Sequence, residues 1–98
     1  MQVTDKIVNW AQERNLIQGS TPEKQFIKLV EELGELAEGM AKRRPGQIID
    51  SIGDMGVVLT ILAAQLGTSF EACLTVAYDE IKLRKGRMVD GVFIKEGD

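Results

Sequence analysis

The chain has 98 residues, 44% of them hydrophobic and 28% charged, and a formal net charge of −3. That length holds one domain, residues 1–98, and the acidic balance argues against a general nucleic-acid binder, which needs a basic surface to neutralise phosphates. A lone cysteine, Cys73, excludes an intrachain disulfide and fits a reducing cytoplasm, while the absence of histidine excludes imidazole triads and leaves carboxylates to carry any metal site. The first residues lack a basic-then-apolar signal pattern, and the run Met55–Leu66 is too short to span a bilayer, so no membrane is expected.

A first helix is expected from Asp5 to about Glu13, with Thr4 as N-cap and Ile7, Val8 and Ala11 as its stripe. Trp10 lies off the centre of that stripe, either as a core or interface anchor or as a platform for stacking a nucleobase. After a loop from Asn15 to Ser20, a second helix opens at Thr21 and Pro22. Its apolar arc is Phe26, Leu29, Val30, Leu33, Leu36, Ala37 and Met40, with Glu31, Glu35 and Glu38 opposite. Lys42, Arg43 and Arg44 complement its negative end, and Pro45-Gly46 breaks the chain.

A third helix is expected from about Gln47 to Leu66, apolar on all sides from Met55 onward and therefore buried all round. Gly67 caps it. Thr68 with Glu71 has the spacing of a capping box for a fourth helix, about Ser69 to Lys85, with Phe70, Cys73, Leu74, Ala77 and Ile81 as its stripe. Asp90-Gly91 between Met88-Val89 and Val92-Phe93-Ile94 is a hairpin signal. The expected fold is all-α: a bundle-like protomer of four helices with a short C-terminal hairpin or extended tail. The apolar third helix needs more cover than three short helices give, so the protomer is expected to be oligomeric.

The chemistry gathers between Glu31 and Asp54. At about 100° per residue, Glu31 and Glu35 share a face with Glu32 beside them, and Asp50 and Asp54 are one turn apart on the next helix. Folded back on each other, the two helices bring together oxygen ligands suited to a hard cation, although a solvated acidic face accounts for the glutamates equally well. The basic end, Lys82, Arg84, Lys85 and Arg87, is either a solubilising helix terminus or a contact for phosphate.

Glu31-Glu32-Leu33-Gly34-Glu35 resembles the Glu-Glu-x-x-Glu signature of the MazG-like nucleotide pyrophosphohydrolases, in the all-α NTP pyrophosphatase superfamily, and Ser51-Ile52-Gly53-Asp54 falls at their Glu-x-x-Asp motif. Through the basic end and the Asp-Gly-Val-Phe-Ile tail the resemblance covers nearly the whole chain, closest to the small phage-associated type. It implies a helical homodimer or homotetramer that cleaves a (d)NTP to the monophosphate and pyrophosphate with Mg²⁺, or Mn²⁺ in its place. Carried over, Glu32, Glu35 and Asp54 are metal ligands, Glu31 either supports those ligands from behind or assists in activating water, and Lys82 binds phosphate with Arg84 or Arg87. Trp10 is a candidate for the base. Ser51 departs from the motif, and Asp50, one turn before Asp54, offers a replacement ligand; Asp79 stands where relatives often carry Asn. The alternatives are a non-catalytic helical oligomer or a regulatory nucleotide-binding protein of the same fold, and a nucleic-acid-binding regulator using the Lys82–Arg87 cluster.

Overall fold

The structure, a computed structural model, describes residues 1–97. Four helices are followed by a hairpin: α1 (Val3–Glu13), α2 (Pro22–Ala41), α3 (Pro45–Gln65), α4 (Phe70–Ile81), β1 (Gly86–Val89) and β2 (Val92–Lys95). The chain is thus mostly helical with a short antiparallel C-terminal ribbon, as expected.

The ends of the helices show which local signals prevail. Thr21 caps α2 by accepting a hydrogen bond from the Lys24 N–H at 3.2 Å, with Pro22 in the first turn. Thr4 does not cap α1; Gln2 holds that place without a side-chain bond, and Thr4 lies half-buried inside the helix with Ile7, Val8 and Ala11. Pro45 opens α3 instead of breaking the chain, because a first-turn residue has no intrahelical use for its N–H. The turn is made before it, with Arg43 in the left-handed region at φ 54°. Ser69, not Thr68, caps α4 by accepting from the Ala72 N–H at 3.1 Å, so the Thr68–Glu71 capping box does not form. α4 ends at Ile81, and the whole basic cluster, Lys82, Arg84, Lys85 and Arg87, lies beyond it. In the hairpin, Met88 pairs with Phe93 and Val89 with Val92, while Asp90 (φ 50°) and Gly91 (φ 79°) supply the left-handed pair that a two-residue turn demands.

The core is built on α3. From Met55 to Gln65 every residue of α3 is buried or half-buried, with Thr60, Ile61, Val58 and Ala63 deepest. α2 folds back along α3 as a helical hairpin, and Gly39 lets them approach: a Cβ there would meet Gln47 Cγ at 3.2 Å and the Ile48 backbone nitrogen at 3.3 Å. The Gln47 amide donates to the Glu35 carbonyl at 2.9 Å and to Glu38 Oε1 at 3.3 Å, tying the two helices near the turn. α1 lies on α3, and Gln65 donates to the Leu16 and Ile17 carbonyls, holding the loop after α1.

Two expectations about packing are corrected. The apolar arc of α2 does not face the core as a whole. Leu29 and Leu36 turn inward on one stripe with Glu32 and Gly39, while Phe26, Val30, Leu33 and Met40 stay 52–62% exposed. Nor does the chain close a four-helix bundle by itself. α4 packs chiefly on α3, every residue of it except Phe70 is exposed, and both strands are exposed along their length. The radius of gyration, 16.3 Å, exceeds the ~13 Å of a compact domain this size. By length and composition the whole of α3, 21 residues, could cross a bilayer, although the Met55–Leu66 run alone is too short.

Candidate metal centre

Glu32 is the one strongly buried ionisable side chain of α2, with 4% of its surface exposed. It lies on the stripe Leu29–Glu32–Leu36–Gly39 that packs on α3, so the helix period carries a carboxylate where an apolar residue would otherwise sit. Lys28, one turn earlier, reaches Glu32 Oε1 at 3.2 Å. The Glu32 Oε2 atom is buried with no hydrogen-bond partner. A buried charged oxygen left unpaired is costly, which makes this atom a site in want of a positive group.

That group has further oxygens to meet. Glu35, one turn on in α2, and Asp54, across on α3, offer carboxylate oxygens that lie with one of Glu32 within 4.8 Å of one another. The Glu32 charge, and then a hydrogen bond between the two carboxyls, hold Glu35 above the ordinary carboxylate range, with smaller contributions from burial and Asp54. Lys28 partly opposes this rise, and its own ammonium is held above the usual range by the hydrogen bond to Glu32 and by that residue's charge. Repelling carboxylates from two helices around an orphaned buried oxygen form a donor set suited to Mg²⁺ or Mn²⁺, which take oxygen ligands. Glu32, Glu35 and Asp54 would hold the ion.

The other expected residues fall into two groups. Asp50 stands outside the cluster but shares a cavity of about 540 Å³ with Asp54, lined also by Val3, Ile7, Val57 and Phe70. Trp10 shares a second cavity of about 430 Å³ with Asp54, together with Lys6, Ile7 and Val57. Asp54 thus stands where the carboxylate cluster borders the space between α1 and α3. Glu31, by contrast, is exposed and points to Lys28, 3.9 Å away, outside the cluster. Lys82 pairs with Asp79 at 3.0 Å, and Arg84 and Arg87 line surface hollows around the hairpin. Those cations are not brought to the carboxylates within one chain, because α4 carries them away from the α2–α3 hairpin. Ser51 is 1% exposed, the most buried side chain of α3, so a glutamate at that position would have to enter the packed interior.

Lys28 and Lys6 are the residues that the sequence reading passed over. The i, i+4 spacing of Lys28 and Glu32 was the available signal for the first. Nothing local marked Lys6, which the packing of α1 on α3 brings into the second cavity with Asp54 and Trp10.

No family model matches the chain, and no solved structure matches it. It is similar to an uncharacterized 18.2 kDa protein in the rep-hol intergenic region of Haemophilus phage HP1 (strain HP1c1), with 58% identity over 64 residues. The match takes in 65% of this chain and 39% of the relative, so the chain spans well under half of that protein's length.

Proposed function

We propose that this protein is a Mg²⁺-dependent nucleoside triphosphate pyrophosphohydrolase of the MazG-like kind, acting in the cytoplasm as a homo-oligomer. The observation that carries the reading is the buried Glu32 carboxylate, one oxygen of which has no partner, clustered with Glu35 and with Asp54, which borders a cavity that Trp10 also lines. Three clustered carboxylates repel one another and Lys28 offsets only part of that; a bound cation would relieve the rest and could hold phosphate there. The ion, when bound, neutralises phosphate charge and acidifies a water.

The chain's own residues supply the rest. Lys28 orients Glu32 through its 3.2 Å contact. Asp50, on the cavity side of α3, orients water toward the α-phosphorus as a general base, which is the role expected for Glu31 from the motif. Attack there releases the nucleoside monophosphate and pyrophosphate. Charge on the leaving pyrophosphate is offset by Lys82, Arg84 and Arg87 of a neighbouring copy, since those of the same chain lie away from the cluster. The exposed arc Phe26, Val30, Leu33 and Met40 supports a second copy docking along α2.

A panel of NTPs and dNTPs with Mg²⁺, assayed for monophosphate and pyrophosphate, tests this. Turnover that disappears in EDTA and in Glu35→Gln is expected. Release of orthophosphate in place of pyrophosphate would overturn the reaction proposed. The distance of the basic cluster from the carboxylates favours one alternative, a metal-binding helical oligomer without turnover. Mg²⁺-dependent stabilisation with no product from any nucleotide would establish it.

A further inference from the structure

Lys28 is the one cation that forms an ion pair with the carboxylate cluster among the described residues. Its ammonium lies 3.2 Å from Glu32 Oε1 and 3.9 Å from Glu31 Oε2. Neither Glu35 nor Asp54 has an ion-pair partner among those residues, and Lys6, which lines a hollow with Asp54, makes no ion pair to it. Glu35 nevertheless feels the ammonium: the charge of Glu32 raises its carboxyl, and Lys28 opposes that rise.

The two partners of the Lys28–Glu32 pair differ in freedom. The Glu32 side chain is 5% exposed and the Lys28 side chain 53%. Glu32 is held in the α2–α3 interface, whereas an ammonium on a flexible four-carbon stem can swing away. Glu31, exposed and already within 3.9 Å, is a second partner waiting for it. An incoming ion therefore competes with a cation that the chain has tethered in place. A monovalent ion offers Glu32 no more charge than Lys28 does, and the tether holds Lys28 at a high local concentration. A divalent ion offers twice the charge and can draw on Glu35 and Asp54 as well.

We propose that Lys28 is the ion-selectivity residue of this site, a tethered monovalent cation that sodium and potassium do not displace and that a divalent ion displaces toward Glu31. The inference rests on the reading of Glu32, Glu35 and Asp54 as a metal centre, and it names the residue that decides which ions enter. Discrimination has a cost in affinity. Even at the dielectric constant of water, a unit charge beside a divalent ion weakens its binding by about 10-fold. Lys28 thus keeps the centre clear of the commoner ions and makes it a weaker site for Mg²⁺.

Mg²⁺ binding to the full chain is measured by titration calorimetry at about pH 8, well above the ordinary carboxylate range. Each titration is run in sodium chloride and in N-methylglucamine chloride at equal ionic strength, so that screening is the same and only sodium is small enough to enter the cluster. For the wild type, the two salts should give the same Mg²⁺ affinity, a comparison that needs no variant. Lys28→Met should bind Mg²⁺ about 10-fold more tightly in the organic salt. Sodium should weaken that binding by roughly 2-fold or more, as a competitor does near its own dissociation constant. Lys28→Gln, which keeps an N–H donor without the charge, should behave as Lys28→Met does, and Lys28→Arg as the wild type does. A role confined to orienting Glu32 would move none of these sodium responses. Circular dichroism checks that the variants fold, and loss of the binding heat in Glu35→Gln assigns it to this cluster. Sodium that weakens Mg²⁺ binding to the wild type, or neutral variants that bind Mg²⁺ no more tightly and ignore sodium, would overturn the proposal and leave the metal centre standing. Mg²⁺ that binds neither the wild type nor any Lys28 variant would overturn both.

Discussion

A leucine at position 32 would complete the stripe that α2 lays on α3; the chain puts a carboxylate there and holds it with Lys28. Lys28→Met leaves Glu32 buried without its cation and should destabilise the metal-free protein by about 1–3 kcal/mol. Mg²⁺ should then raise the melting temperature of the variant by more than that of the wild type, and thermal melts with and without EDTA measure both. Glu35 behaves oppositely. Its folded-state pKa is raised by the charge of Glu32, so the folded protein binds this proton more tightly than the unfolded chain does. The resulting stability is present in full below the unfolded value and is lost as pH rises through the folded one. In EDTA the melting temperature should therefore decline as pH rises from about 4 upward, and Glu35→Gln should flatten that decline and abolish most of the Mg²⁺ response. A variant whose melting point still climbs with Mg²⁺ as the wild type's does would show that Glu35 is not a ligand.

At the scale of elements, the site depends on how closely α2 and α3 approach. Gly39→Leu forces a side chain against Gln47 and the Ile48 backbone and should cost about 1–3 kcal/mol. Because the splayed helices no longer hold Glu35 and Asp54 together, the Mg²⁺ response should weaken in the same calorimetric scans. Much of this arrangement was legible in the sequence. Thr21-Pro22 announced the start of α2 and Asp90-Gly91 the hairpin, while the grouping of Glu32, Glu35 and Asp54 followed from the motif resemblance, the helical spacing having paired Glu35 with Glu31. What was not legible was rotation. The apolar residues of α2 span a wide arc, and periodicity does not say which edge of it meets α3; Gly39, where a Cβ would meet Gln47 and Ile48, lies on the edge that does. Likewise Ser69 rather than Thr68 caps α4, since adjacent hydroxyl residues carry the same capping chemistry and the register of the next turn selects between them. The separation of Lys82, Arg84 and Arg87 from the carboxylates was hidden for a related reason: sequence order says nothing about the direction in which α4 leaves Gly67.

Over the whole molecule, the exposed residues of α2 follow a 4-3-4-3 spacing, Phe26, Val30, Leu33, Ala37 and Met40, which is the seam of a helix pair. We expect sedimentation at micromolar concentration to give a dimer or larger species and Leu33→Glu to shift it toward the monomer. A wild-type monomer would overturn this expectation. The poorly covered arm of α4 and the hairpin has a different consequence, which concerns time. Amide protons exchange with solvent at the rate at which their hydrogen bonds open, and segments with few buried contacts open without the rest of the protein. The α3 amides from Met55 to Gln65 lie among the buried residues of the chain, whereas those of α4 and the strands are shielded by little beyond their own ladder. In deuterated buffer the arm should therefore exchange as one early unit and α3 as the last. Any partner or second copy that covers the arm will announce itself by moving those amides from the fast class to the slow one.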